Sequence, residues 1–353
     1  MVITPALTMG GMERASSTLA IALEKMEDVK VTLLLILSHP HFFKISPGIS
    51  IIEPEGFNKK KLSIVKTISY LRKYLKTEAP DSVLVYGKFY GALAVLSNIG
   101  LGKKIFISER SSPLLKWPLK QRVFNHMAYT LAKPYGVIAQ TNIAKKIQQS
   151  YFGAKVPIVV VPNAIREIEL YSSIPREEII LCIGRLNDVL KGFDRVLETF
   201  ALIKDQCLWN LVIIGGVSDA ILNKIIEIRN LKERVIFIDK ANNIDEWIAK
   251  AGIFALPSRS EGFPNALCEA MIGGAPCISF DFIAGPRDII KHEVNGLLVP
   301  DGDIELFAAS LLDLINNKNK RLKLGQNAKG LREKLNEDNI AQQIYAILLK
   351  DKL

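Results

Sequence analysis

Four cysteines and four histidines are few for a chain of 353 residues, and their positions exclude more than their number does. Cys182, Cys207, Cys268 and Cys277 form no Cys-x-x-Cys pair and stand in apolar contexts. They read as thiols of a reducing compartment, against a disulfide framework or a zinc set. His39, His41, His126 and His292 have no metal-ligand spacing, and no Ser/His/Asp or Cys/His constellation can be assembled around them. His292, in KHEVNG, reads as a surface loop residue. No Asp-x-Asp-like pair follows a strand to hold a divalent ion on a diphosphate. No apolar run approaches the ~20 residues of a membrane-spanning helix. The first residues, MVITPAL, lack the basic and long apolar regions of a secretory signal. Repeats and low-complexity tracts are absent, and 49% hydrophobic with 23% charged residues argues against extended disorder.

What is present is a lopsided charge. Residues 1–162 hold 22 Lys+Arg against 9 Asp+Glu, whereas residues 163–353 hold 24 against 27, which together give the net +10. The basic half implies an anionic partner: nucleic acid, acidic lipid or a phosphorylated substrate. Nucleic acid is disfavoured because no basic motif is interleaved with aromatics.

Short β-branched runs alternate with helical patterns along the whole chain. VKVTLLLIL, SVLVYG, KKIFISE, YGVIAQT and VPIVVVPN are expected strands of the first half. EIILCIGR, WNLVIIGG, RVIFID, AGIFALPS, APCISFD and GLLVP restart the pattern in the second. Such alternation predicts an α/β fold with parallel sheets and crossover helices. The polar, aperiodic stretch at about 160–178 reads as the break between two doubly wound domains. The expected division is an N-terminal domain 1–162, a second domain 163–335, and a helix 336–353 returning to the first. Two such domains would leave a cleft between the carboxyl ends of their strands, where open α/β sheets bind ligands. The Lys-rich stretch 59–76, with Leu62, Val65, Ile68, Leu71 and Leu75 at helical spacing, reads as a crossover helix whose charged side could face an anionic bilayer.

Three segments carry candidate chemistry. TPALTMGGMERAS places Gly10 and Gly11 after a strand and before a helix, where bare backbone N–H groups favour an anion; by itself such a pair is more often a simple turn. CIGRLNDVLKGFDRVLETF puts Arg185 and Lys191 on one strand-to-helix loop flanked by Gly184 and Gly192. A fork and a point charge can together clamp a diphosphate; a solvated basic loop is the plainer alternative. SRSEGFPNALCEAMIGG sets Glu261 in a loop and Glu269 eight residues later on the following helix. Carboxylates accept strongly from hydroxyls, so two acids around a clamped diphosphate would suit a sugar nucleotide. An ordinary helix-start charge and a surface glutamate are the competing reading.

Taken together, TMGGMERAS, IGRLNDVLKGFDRVLETF and SRSEGFPNALCEAMIGGAPCISFD with the later GPRDIIKHEVNGLLVP resemble the retaining glycosyltransferases of family 4. The resemblance implies the GT-B fold, two Rossmann-like domains facing across a cleft. It implies that Arg185, Lys191 and Glu261 carry catalysis, the two cations on the donor diphosphate and Glu261 on the donor sugar. Gly10, Gly11, Gly184, Gly262, Phe263, Pro264 and Asn265 would help bind the donor, and Glu269 would hold the ribose hydroxyls. ISERSSP resembles enzymes that build polyprenyl-diphosphate-linked oligosaccharides, including N-acetylgalactosaminyltransferases, and makes Glu109 and Arg110 the acceptor-side residues. No metal and no cofactor is implied. The expected partners are a UDP-sugar, a polyprenyl-diphosphate-linked saccharide and an anionic membrane surface, on the inner face of the cytoplasmic membrane. A glycosyltransferase with a soluble acceptor and a non-catalytic GT-B protein that binds an anionic glycan are the rival readings.

Overall fold

The protein is described by a computed structural model over residues 1–55, 63–112, 115, 117–171, 173–283 and 285–350. It contains two compact units, one of residues 1–164 and 337–353, the other of residues 165–336. The first holds a parallel sheet of seven strands: β1 (Val2–Thr4), β2 (Thr32–Leu35), β3 (Ser50–Ile52), β4 (Ser82–Tyr86), β5 (Lys104–Ser108), β6 (Gly136–Ala139) and β7 (Ile158–Val160), in the order β3-β2-β1-β4-β5-β6-β7. The second holds six: β8 (Glu177–Ile183), β9 (Asn210–Ile214), β10 (Val235–Ile238), β11 (Ala251–Leu256), β12 (Cys277–Asp281) and β13 (Leu297–Pro300), in the order β10-β9-β8-β11-β12-β13. Both sheets reverse winding direction beside their first strand, between β1 and β4 and between β8 and β11. Those are the switch points at which doubly wound sheets take ligands.

Side-chain alternation builds the three-layer first unit. Ile3, Leu34, Val83, Val85, Ile105, Ile107, Val137 and Ala139 point to one face, and Val2, Leu33, Leu84, Tyr86, Phe106 and Ile138 to the other. Successive strand residues face opposite sides, so two-sided apolar strands must be covered twice. Helices 64–77, 88–97, 119–131 and 142–152 accompany the first face. On the second, helix 11–24 pairs with the C-terminal helix 337–349, which buries Ile340, Ala341, Ile344, Ile347 and Leu348 at helical spacing. Burying each of the larger side chains stabilises by about 1.5–3 kcal/mol, which explains how a helix remote in sequence is held to this sheet.

Two expectations are corrected. Strand β3 was not legible, because its residues are exposed or half-buried at the sheet edge and carry no core signal. The crossover helix starts at Ile64, capped by Ser63, and buries Thr67, Leu71 and Leu75, while Val65 is 77% exposed. Val65 sits two residues, about 200° of helix rotation, from Thr67, so it cannot share the buried stripe. Ile68 is half-buried, and Leu62 with the lysines at 59–61 lies outside the described residues. The cysteines are free; Cys182, Cys268 and Cys277 are buried, and burial pushes their thiols up, away from reactivity.

Candidate active site

In the second unit the loop after β8 and the loop after β11 meet at the switch point. The first passes through Gly184 and Arg185, forms a short 3-10 turn at Val189–Lys191, and enters helix 193–203. Asp188 caps the turn by accepting from the Leu190 N–H at 3.1 Å. Gly192 then adopts φ 67°, and a Cβ there would lie 2.2 Å from the Pro257 carbonyl oxygen. A side chain is excluded both by the backbone conformation and by the close approach of the β11 loop.

Arg259 laces the two loops together. Its N–H donates to the Leu190 carbonyl at 2.8 Å, and its guanidinium donates to the Val189 carbonyl and to both oxygens of Asp194. Burial alone would raise the Asp194 carboxyl, but the hydrogen bonds and charge of Arg259 outweigh it and hold that carboxyl below its usual value.

This lacing brings Lys191 onto Glu261. The ammonium lies 2.8 Å from both carboxylate oxygens, and the Ser258 hydroxyl donates to Oε1 at 2.8 Å. The Lys191 and Glu261 side chains are only 19% and 11% exposed. Gly184 borders this pair: a Cβ would stand 3.1 Å from Lys191 Cδ. Arg185 projects outward, 78% exposed, with Asp188 at 3.3 Å as its ion-pair partner. The two cations of the loop are thus placed differently, one paired within the site and one reaching from its rim.

Gly262 follows Glu261, Phe263 and Pro264 are buried, and Pro264 precedes helix 265–272, which opens with an exposed Asn265. Glu269 lies in the second turn, half-buried, with Arg166 Nε 3.5 Å from its Oε1. Sequence reading missed Ser258, Arg259, Asp194 and Arg166. Arg259 and Ser258 stood inside the motif that identified Glu261, but their partners are brought to them by the sheet.

The first unit carries its own switch-point feature, a cavity of about 320 Å³ between the loops after β1 and β4. Glu13, His39, Lys88, Phe89, Tyr90 and Trp117 are among its lining residues. Burial lowers the Lys88 ammonium, whose Nζ sits 4.1 Å over the Tyr151 ring. Gly10 and Gly11 begin the neighbouring helix; neither has a positive φ, and a Cβ on Gly11 would meet nothing within 4 Å. Glu109 is 5% exposed and accepts from the Lys88 N–H at 2.6 Å and the Ser111 N–H at 2.8 Å. Arg110 bonds Ser108 and Asn163 and stacks 5.0 Å over Tyr86. Glu109 and Arg110 therefore brace the β5 loop. Among the described residues no cluster of three or more His, Cys, Asp or Glu has metal-binding geometry.

Two Rossmann-like units, each with a candidate site at its switch point, define the GT-B class of fold. Solved structures share it. The lipopolysaccharide outer core galactosyltransferase WaaB superposes with TM-score 0.79 at 22% identity, over 100% of this chain and 99% of that one. Anabaena HepE, solved with UDP, gives TM-score 0.76 at 16% identity, over 98% of each chain. Residues 9–167 match the family model "Glycosyltransferase Family 4" and residues 167–331 match "Glycosyl transferases group 1". The chain belongs to this family and is a glycosyltransferase. Among similar proteins is the Campylobacter jejuni GalNAc-alpha-(1->4)-GalNAc-alpha-(1->3)-diNAcBac-PP-undecaprenol alpha-1,4-N-acetyl-D-galactosaminyltransferase. It is 28% identical over 334 residues, 93% of this chain and 91% of that protein.

Proposed function

We propose that this glycosyltransferase moves a hexose or N-acetylhexosamine from a UDP-sugar to a lipid-linked saccharide in bacterial surface glycan or glycoprotein assembly. In this reading the reaction retains anomeric configuration and uses no metal. The observation that carries it is the Lys191–Glu261 pair at the β8/β11 switch point, with Arg185 on its rim and Glu269 on the adjoining helix. HepE, of the same fold, was solved with UDP, and the Campylobacter relative is named for a PP-undecaprenol acceptor.

The pair's chemistry fits the role. Lys191 neutralises Glu261, so the carboxylate can accept a sugar hydroxyl without repelling the neighbouring phosphates. An ammonium has three donors, and with two directed at Glu261 one remains for a phosphate oxygen. Arg185 adds a fork at the rim, 78% exposed and ion-paired with Asp188. Fixed positive groups on a diphosphate stabilise the charge that develops as it departs. The bond from the anomeric carbon to the phosphate oxygen breaks, the acceptor oxygen bonds that carbon on the same face, and its proton passes to the departing phosphate oxygen. No carboxylate nucleophile enters, unlike a retaining hydrolase. Gly262, Phe263 and Pro264 present backbone to the donor sugar, and Glu269 accepts from the ribose hydroxyls. The cavity of the first unit serves the acceptor.

Incubation with common UDP-sugars in EDTA, with membrane extract, is expected to release UDP and to yield a product of the donor's anomeric configuration. Release that needs added Mg²⁺ or Mn²⁺, an inverted product, or turnover only with other nucleotide sugars overturns the corresponding part of the reading.

The membrane part of the proposal rests on helix 119–131. Leu119, Val123, Met127 and Leu131 are each more than half exposed and recur every fourth residue. Lys120 and Arg122 accompany them, with no acid on the helix. Across residues 101–164 there are ten Lys+Arg and one Asp+Glu. An outward apolar line amid cations suits the surface of an anionic bilayer. No helix among the described residues is long and apolar enough to cross one. Flotation with phosphatidylglycerol vesicles should carry the protein at low salt and lose it at high salt. Leu119→Ser with Met127→Ser should weaken the low-salt binding at least severalfold; unchanged flotation of that variant removes this helix from the proposal.

A further inference from the structure

Glu269 does not stand alone. Its Oε1 is 3.5 Å from Nε of Arg166, two residues into the second unit. The outer nitrogens of that guanidinium grip both oxygens of Asp245, one at 2.9 Å. Asp245 is 7% exposed, lies in the first turn of helix 244–250, and also accepts from the Glu169 N–H at 2.9 Å. Asn243 caps the same helix by accepting from the Asp245 and Glu246 N–H groups. One planar fork thus faces a rigidly held carboxylate on one side and the Glu269 carboxylate on the other. A lysine in its place could satisfy one of these acids but could not span both with fixed geometry.

We propose that Arg166 is a positioning residue for donor binding: anchored by Asp245, its guanidinium holds the Glu269 carboxylate in the orientation that accepts the ribose hydroxyls. This rests on the reading of Glu269 given above. A long glutamate side chain on a helix has several rotamers, and freezing them costs free energy at each binding event. An ion pair already in place removes that cost and aims the acceptor lone pairs. Arg166 touches no reacting atom in this account and acts only through Glu269.

The test is discrimination between UDP and 2′-deoxy-UDP, read as a ratio of Kd values by calorimetry, with thermal melting alongside. Wild-type protein should prefer UDP about tenfold or more, the scale of a hydrogen bond to a charged group. Glu269→Gln should cut that preference severalfold, and Arg166→Gln should do the same although residue 269 is untouched. If Glu269→Gln lowers the preference and Arg166→Gln keeps it, whatever its melting temperature, Arg166 is only structural and the inference falls while the role of Glu269 stands. If wild type shows no preference, or Glu269→Gln keeps it, the ribose reading fails and takes the inference with it. Arg166→Lys, which retains the charge, is the second variant should Arg166→Gln not fold; it should also lose discrimination because the two-sided grip is gone.

Discussion

Replacing Lys191 with Ala is expected to lower kcat by about 10²–10³, the usual loss when one fixed group that stabilises a developing negative charge is removed. A second effect adds to it. Glu261, at 11% exposure, would keep Ser258 but lose its ammonium partner, and an unpaired carboxylate beside the diphosphate would repel the donor. KM for the donor should therefore rise with the fall in kcat. Glu261→Ala leaves the cation in place and should cost turnover mainly through lost orientation of the sugar. The double variant separates the two: if pairing is what matters, its loss is smaller than the sum of the single losses. Steady-state UDP release for the three variants, with circular dichroism to confirm folding, decides it. Lys191→Ala turnover within tenfold of wild type would remove Lys191 from the proposed chemistry.

Gly192→Ala should produce a large loss of stability at the candidate site. The residue has φ 67°, and the added Cβ would lie 2.2 Å from the Pro257 carbonyl oxygen. The left-handed conformation costs a non-glycine residue about 1–2 kcal/mol, and displacing packed backbone adds about 1–3 kcal/mol. The second unit should then melt several degrees lower, at roughly 2–4 °C per kcal/mol for its size. Activity should fall further than stability, because the Lys191 turn and the Arg259 lacing both lean on this crossing. Gly11→Ala is the internal control: its Cβ would meet nothing within 4 Å, so its melting temperature should stay within about 1 °C of wild type. Equal melting of the Gly192→Ala and Gly11→Ala proteins would show that the β8 and β11 loops do not depend on their close approach.

The regular elements were legible because their signals are local. Strand alternation in SVLVY and KIFIS assigns residues to faces without knowing any partner, and among the described residues every strand but β1 and β3 overlaps one of the short runs quoted above. Strand β3 escaped because an exposed edge strand needs no apolar pattern. The stripe expected on the 59–76 helix went wrong at Val65 because its three-residue steps drift about 60° each around the helix, whereas the sheet buries the four-residue row Thr67, Leu71 and Leu75. The loop glycines and the spacing of Glu261 and Glu269 marked where the candidate site lies, and the resemblance those residues carry agrees with the family to which the chain belongs.

By itself, then, the sequence determined the α/β class, the order of the strands along the chain, the free thiols and the loop motifs that hold Lys191 and Glu261. Tertiary structure alone decided which charges meet. Lys191 and Glu261 are 70 residues apart, and Arg166 and Asp245 are 79 apart. The Lys191–Glu261 pairing follows from β8 lying beside β11, a neighbour relation that no local period encodes. The same holds for the outward Arg185, the inward Glu109 and the uncovered line of helix 119–131. Secondary structure obeys short-range periodicities written in adjacent residues, whereas the partner and exposure of a charged or apolar side chain depend on distances through space that exist only once the sheets have formed.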